Sequence, residues 1–224
     1  MPISPILTGA SGMVGRAVLL ECLDSPHVER VLMINRQPVA LQHPKLTELL
    51  HRDFTDIGSI RGLLKGYDAC FFCAGVSAAG KSEAEYTQLT YTLVTSFART
   101  LHEVNPDLVF TYVSGSGTDR TETSRMMWAR VKGRTENALL ELGFRAAYMF
   151  RLGVLIPDTA VQSKTGWVNT FLTVLRPLFP LLKRFDWATT SSRIGRAMIQ
   201  VALHPPEQQI LENKDINRLA AQRM

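Results

Sequence analysis

Several things are scarce in this chain of 224 residues, and each scarcity closes a door. Three cysteines are too few for a disulfide framework, so a reducing compartment, the cytoplasm, is expected. No secretory leader pattern opens the chain and no apolar run is long enough to span a bilayer. The five histidines, at 27, 43, 51, 102 and 204, show no ligand spacing, and no metal site is expected. Lys and Arg number 25 against 20 Asp and Glu, a modest excess without a dense basic stripe or a set of base-stacking aromatics, so nucleic acid is not expected as a partner. With 46% hydrophobic residues and a mean hydropathy of +0.02, the chain is neither disordered nor a membrane bundle.

What the chain does have is concentrated at its start. Ile3, Ile6 and Leu7 form a short apolar strand that runs into Thr8-Gly9-Ala10-Ser11-Gly12-Met13-Val14-Gly15-Arg16. After it, Val14, Val18, Leu19, Cys22 and Leu23 recur at helical spacing. A glycine-rich turn between strand and helix lets backbone N–H groups approach a pyrophosphate, which the positive end of the helix dipole then holds. The run therefore reads as a dinucleotide site, with Thr8, Gly9, Ser11, Gly12, Met13, Val14, Gly15 and Arg16 as candidate contacts.

The next strand bears on which dinucleotide. Val31-Leu32-Met33-Ile34 is continuously apolar, as expected of a strand covered on both faces, and ends in Asn35-Arg36. An acidic residue at this point would hold the ribose 2′-hydroxyl of NAD(H). None is present. Arg36, with Arg16, instead suits a 2′-phosphate, because a guanidinium offers several fixed donors to an oxyanion. NADP(H) is expected over NAD(H), the competing reading being that Arg36 is a solvated loop charge.

Strand and helix alternate through most of the remaining chain, which predicts an α/β fold: a doubly wound, mostly parallel sheet in a single domain over 1–224. Leu46 to Leu50 predicts a third strand leaving through His51-Arg52-Asp53-Phe54, with Asp53 and Phe54 reaching toward adenine. Tyr67 to Ala74 predicts a fourth, opening into a small-residue loop from Gly75 to Gly80. Sheets of this kind bind ligands at such strand ends, so Ala74 and Gly75 are candidate contacts. Cys70 and Cys73 fall in that strand facing opposite ways and read as structural. Leu89, Leu93, Val94, Phe97 and Leu101 mark a helix, and Leu108 to Val113 a strand ending in Ser114-Gly115-Ser116-Gly117. Trp128, Val131, Thr135, Ala138, Leu139 and Leu142 share a helical face closed by Gly143, and Ala146 to Leu152 is the strand after it.

These motifs, together with Val131-Lys132-Gly133 and Arg151-Leu152-Gly153-Val154-Leu155, stand in an order that resembles the atypical short-chain dehydrogenase/reductases. The resemblance covers about residues 4–156 and is closest to the branch of Tat-interacting oxidoreductase-like and bacterial epimerase-like chains. It implies a Rossmann fold, a nicotinamide cofactor and a Ser/Tyr/Lys set for proton and hydride transfer. In active members of that family a tyrosine exchanges the substrate proton, while a lysine four residues later lowers its pKa and holds the nicotinamide ribose. Here the lysine is Lys132 and the tyrosine position is Trp128, whose indole N–H has no useful acidity. Ser114 or Ser116 could polarise a substrate carbonyl, or simply form a turn. The amide or acidic residue of the preceding helix appears as Thr90, beside Tyr91, and Tyr86, Tyr91 and Tyr112 are all off the family position.

The resemblance assigns the substrate side to the C-terminal third. Phe171 to Leu182 is strongly apolar, interrupted by Pro177 and Pro180 and followed by Lys183-Arg184. Proline breaks it too often for a membrane span. Within 157–190 a lid over a pocket or a self-association surface is expected ahead of an interfacial membrane segment. Ile194, Ala197, Met198, Val201 and Ala202 predict a packing helix capped by Ser191 or Ser192, with a polar tail from Pro205 that Ile210, Ile216 and Leu219 could dock. The combined reading is an NADP(H)-binding oxidoreductase acting on a small carbonyl or alcohol. A non-catalytic NADP(H)-binding regulator is the alternative, and a sugar-nucleotide epimerase a third.

Overall fold

The computed structural model describes residues 1–158 and 187–222. Seven strands form one parallel sheet in the order β3-β2-β1-β4-β5-β6-β9. They are β1 (Pro5–Thr8), β2 (Val31–Asn35), β3 (Leu46–Leu50), β4 (Ala69–Phe72), β5 (Val109–Gly115), β6 (Ala146–Leu152) and β9 (Ile210–Glu212). A second, two-stranded sheet pairs β7 (Val154–Ile156) with β8 (Ala188–Thr190). The helices are α1 (Met13–Asp24), α2 (Glu83–Thr87), α3 (Leu93–Val104), α4 (Met127–Glu141), α5 (Ser191–Leu203) and α6 (Asn213–Ala220), with a 3-10 helix over Gly58–Leu64.

Winding runs outward from β1 through β2 to β3, then restarts at β4 on the other side of β1. The reversal opens a crevice at the carboxyl ends of β1 and β4, where doubly wound sheets take their ligands. Alternation along the strands fills both faces. Leu7, Met33, Phe71 and Phe150 pack with α1 and α5 through Val18, Leu19, Ile194 and Met198. Ile6, Ile34, Phe72 and Phe110 pack on the other face with Phe97 of α3 and Leu139 of α4. Every residue of β1, β2 and β4 is buried, as the unbroken apolar runs required.

The structure departs from the sequence expectations at several ends. The fourth strand is shorter than Tyr67 to Ala74, occupying Ala69–Phe72. The helix around Leu89 begins earlier, in a capping box between Ser82 and Glu85, and passes through a π turn at Gln88–Thr92 before α3. The cap of α5 is Thr190, whose hydroxyl accepts from Arg193 N–H, not Ser191 or Ser192. Both of those hydroxyls are held by the Asp158 carboxylate, Ser191 Oγ donating at 2.7 Å. The C-terminal tail is docked: β9 pairs with β6, and Ile216 and Leu219 of α6 are buried. The apolar run from Phe171 to Leu182 lies outside the described residues, as does most of 157–190. Among the described residues no helix is long and apolar enough to cross a membrane.

Candidate functional site

The glycine run builds the floor of the crevice by close approach. Gly9 has a φ of +77°, and a Cβ there would stand 2.6 Å from the backbone N of Ala74; only glycine meets both conditions. Gly12 N–H donates to Gly9 O at 2.9 Å and Gly12 caps α1. Gly15, one turn into α1, lies so near that a Cβ would overlap the Gly9 carbonyl. Thr8 is buried, and its hydroxyl accepts from Ala74 N–H at 3.3 Å, tying the loops after β1 and β4 together. The result is a cleft of about 640 Å³ whose floor can hold a pyrophosphate on the N-terminus of α1.

Of the expected contacts, Gly9, Ser11, Gly12, Asn35, Arg36, Phe54, Ala74 and Gly75 line this cleft together. Met13, Val14, Gly15 and Arg16, in the first turn of α1, are not among the residues that line it, nor are Thr8 and Lys132. Asp53 does not line it either. Its carboxylate accepts from the Thr55 N–H at 2.9 Å and the Thr55 hydroxyl at 2.6 Å; the hydroxyl bond above all holds its pKa below the usual carboxylate range. Phe54 supplies the apolar surface at that end instead. Three lining residues, Gln37, Arg52 and Cys73, were not among the expected contacts. The thiol of Cys73 is pushed well up by burial, which leaves it inert as a nucleophile.

Across β5 and β6 the site is built from charge. Ser114 is buried at the end of β5, and its hydroxyl donates to Glu136 Oε1 at 2.6 Å. Arg151 on β6 grips the same carboxylate through Nε at 3.1 Å and a terminal nitrogen at 2.6 Å. It also faces Glu212 at 3.6 Å, which in turn accepts from Ser116 Oγ at 3.3 Å. The side chain of Glu136 is completely buried and that of Arg151 is 15% exposed, so each needs the other. The proton of Ser114 is committed to Glu136, which removes Ser114 as a donor to a substrate carbonyl. Ser116 is exposed, and among the described residues its hydroxyl makes one long bond, to Glu212.

Lys132 sits on α4 one turn before Glu136. Its ammonium donates to Val113 O at 3.5 Å and lies 5.7 Å above the Tyr112 ring. Burial lowers its pKa from 10.5 to about 8. Trp128, a further turn back, lays its indole against the loop after β5: a Cβ on Gly115 or Gly117 would meet its six-membered ring at 3.6 or 3.5 Å. The tyrosines weighed from the sequence are engaged elsewhere. Tyr86 and Tyr112 are buried, with burial raising both pKa values, and Tyr91 stacks under Arg134 at 4.4 Å. Sequence reasoning missed Glu136, Arg151 and Glu212. A signal was present: a glutamate beside Thr135 on the apolar face of α4, and an arginine in the otherwise apolar β6, each call for a partner.

The sequence pattern of the NAD dependent epimerase/dehydratase family matches residues 6–117. Among known relatives, the protein HTATIP2 of Rattus norvegicus is 25% identical over 224 residues, covering 96% of this chain and 88% of the relative. The mitochondrial protein fmp52 of Aspergillus clavatus is 28% identical over 212 residues, covering 88% of this chain and 86% of its own. Among solved structures, glucuronic acid dehydrogenase from Chromohalobacter salexigens superposes with a TM-score of 0.67 at 14% identity, over 94% of this chain and 76% of that one. UDP-N-acetylglucosamine 4-epimerase from Methanobrevibacter ruminantium M1 does so with a TM-score of 0.67 at 15% identity, over 98% and 80%. At such identities the likeness is one of fold. The fungal relative's name places that protein in the mitochondrion, so it lends no support to a cytoplasmic location.

Proposed function

The chain belongs to the NAD dependent epimerase/dehydratase family, and from that premise we propose that it is an NADP(H)-dependent oxidoreductase acting on a small carbonyl or alcohol through a site in which Trp128 replaces the usual tyrosine. The observation that carries this reading is the placement of Lys132, one turn beyond Trp128 on α4 with its ammonium donating to Val113 O at 3.5 Å at the end of β5. An ammonium whose pKa is lowered to about 8 can carry and release a proton near neutrality, which the indole of Trp128 cannot. The glycine floor suits a pyrophosphate, because Gly9 and Gly15 draw the β1 loop close onto the N-terminus of α1, where backbone N–H groups and the helix dipole favour an anion. Arg36 is exposed at the mouth of the cleft where NAD(H)-binding relatives would need an acid, which favours the 2′-phosphorylated cofactor.

When bound, the nicotinamide supplies the hydride. The protein's part is to orient and to move the proton: Ser116 Oγ presents a hydroxyl to the substrate oxygen, and Lys132 Nζ gives or takes the proton as that oxygen changes charge. The Glu136–Arg151 pair keeps Ser114 and the end of β5 in place. Three free cysteines suit a reducing compartment, the cytoplasm or the mitochondrial matrix.

The test is NADPH oxidation with a panel of small aldehydes and ketones, by the native chain, Trp128→Tyr and Lys132→Met. Slow turnover is expected from the native chain and its loss in Lys132→Met. A gain of roughly tenfold or more is expected in Trp128→Tyr, because a positioned general acid contributes about 10²–10⁴-fold. A specific observation favours a second reading: the Trp128 indole occupies the space over Gly115 and Gly117. If both the native chain and Trp128→Tyr bind NADPH and neither turns over any substrate, the protein is a cofactor-binding regulator.

A further inference from the structure

We infer that Arg52 is the second arm of a two-guanidinium clamp for the 2′-phosphate. This rests on the cofactor reading above and adds a residue that neither the glycine run nor the end of β2 points to.

The sheet register brings the two arms together. Asn35 at the end of β2 pairs with Leu50 at the end of β3, and His51 N–H donates to Asn35 O at 2.8 Å. Arg36 and Arg52 therefore stand one and two residues past the last rung of neighbouring strands, which are about 4.8 Å apart. Both line the same cleft and both are exposed. The ion pairs among the described residues all involve other groups. Two arginines thus line one opening, and neither is in an ion pair among the described residues, which leaves both charges open to an anion.

The nearby carboxylates are turned elsewhere. Asp53, next to Arg52, is held by Thr55. Glu48 on β3 accepts from Asn35 Nδ2 at 3.4 Å and from Val39 N–H at 2.8 Å, which fixes the turn carrying Arg36 and Gln37. The loop bearing Arg52 is fixed as well: His51 Nε2 lies 2.7 Å from Asp53 O and 2.8 Å from Asp56 O. Both guanidiniums are presented from backbone that is already ordered, so a phosphate need not organise them. A phosphomonoester dianion can then accept from two planar donor sets, a geometry a single arginine does not complete.

The experiment is a fluorescence titration of NADPH and NADH on the native chain, Arg36→Ala and Arg52→Ala, with adenosine 2′,5′-bisphosphate and AMP as competitors and a thermal melt as the check on folding. Arg52→Ala should weaken NADPH and the bisphosphate by about tenfold or more and leave NADH and AMP within about twofold. Equal affinity of the native chain for NADPH and NADH would remove the cofactor reading and the clamp together. A native preference that Arg36→Ala abolishes and Arg52→Ala leaves intact would overturn the clamp alone. Equal weakening of both cofactors by Arg52→Ala, with the melt unchanged, would also overturn it, since Arg52 would then serve the loop and not the phosphate.

Discussion

The two halves of the carboxyl edge are made from opposite materials. From β3 to β4 the edge is backbone and glycine, and the charges it shows, Arg36 and Arg52, have no counter-ion among the described residues. From β5 to β9 the edge is side chain, and its charges answer one another: Arg151 with Glu136 and Glu212, and the two serine hydroxyls on those same carboxylates. One half is built to receive an anion. In the other, Arg151 is already compensated by Glu136 and Glu212, and Lys132 stands beside them outside the ion pairs of the described residues.

The sharpest way to break the comparison is to unpair the second half. Glu136→Ala leaves Arg151 largely buried beside an empty space, and removing one partner of a buried pair costs about 3–5 kcal/mol. Chemical denaturation should show a loss of that size, with NADPH affinity per folded molecule nearly unchanged because Glu136 does not touch the cleft. A loss within about 0.5 kcal/mol would mean that the pair is solvated and that the halves are not built differently. Replacing Glu136 and Arg151 together with Leu and Met should recover much of the stability, since a buried pair is worth little against apolar groups of similar volume.

The reverse experiment acts on the first half. In Gly15→Ala the added methyl must push the Gly9 carbonyl away, an overpacking cost of about 1–3 kcal/mol that helix propensity offsets by only about 0.5–1 kcal/mol. The larger consequence is in binding: moving Gly9 tilts the pyrophosphate floor, and NADPH affinity should fall far more steeply than stability. Unchanged affinity by titration would show that the floor does not hold the cofactor.

The same contrast explains what could be read from the chain beforehand. Backbone sites leave a sequence signature, because only glycine tolerates the φ of Gly9 or the contact at Gly15; the parallel α/β sheet was legible from the alternation of strand and helix, while its strand order was not. Parallel strands also announced themselves, β3 and β6 falling on the residues expected. Side-chain sites leave a weaker mark. Ser114 and Ser116 are equivalent in sequence, and only the placement of Glu136 and Glu212, 22 and 96 residues away, separates them. Asp53 read as an adenine contact; its carboxylate accepts from Thr55 two positions on, a local bond that its place in the sequence did not announce. The π turn at Gln88–Thr92 has no compositional signal, since one extra residue in a helix changes neither propensity nor apolar content.

The smallest effect sharpens the comparison at Lys132, a cation of the second half that is in none of the ion pairs among the described residues. Lys132 has a folded pKa of about 8, lowered from 10.5 chiefly by burial. The unfolded chain therefore holds this proton more tightly than the folded one, and the folded state is penalised wherever Lys132 is charged in both. Below about pH 8 the penalty is complete; between about pH 8 and 10.5 the folded lysine is neutral while the unfolded one is charged, so this group makes stability rise with pH. Lys132→Met removes the penalty and the slope at once. Melting temperatures at pH 7 and pH 9.5 should show the variant stabilised at the lower pH and the advantage shrinking at the higher. An advantage equal at both pH values would mean that Lys132 keeps an ordinary pKa, and with it would go the claim that this ammonium can exchange a proton near neutrality in place of a tyrosine.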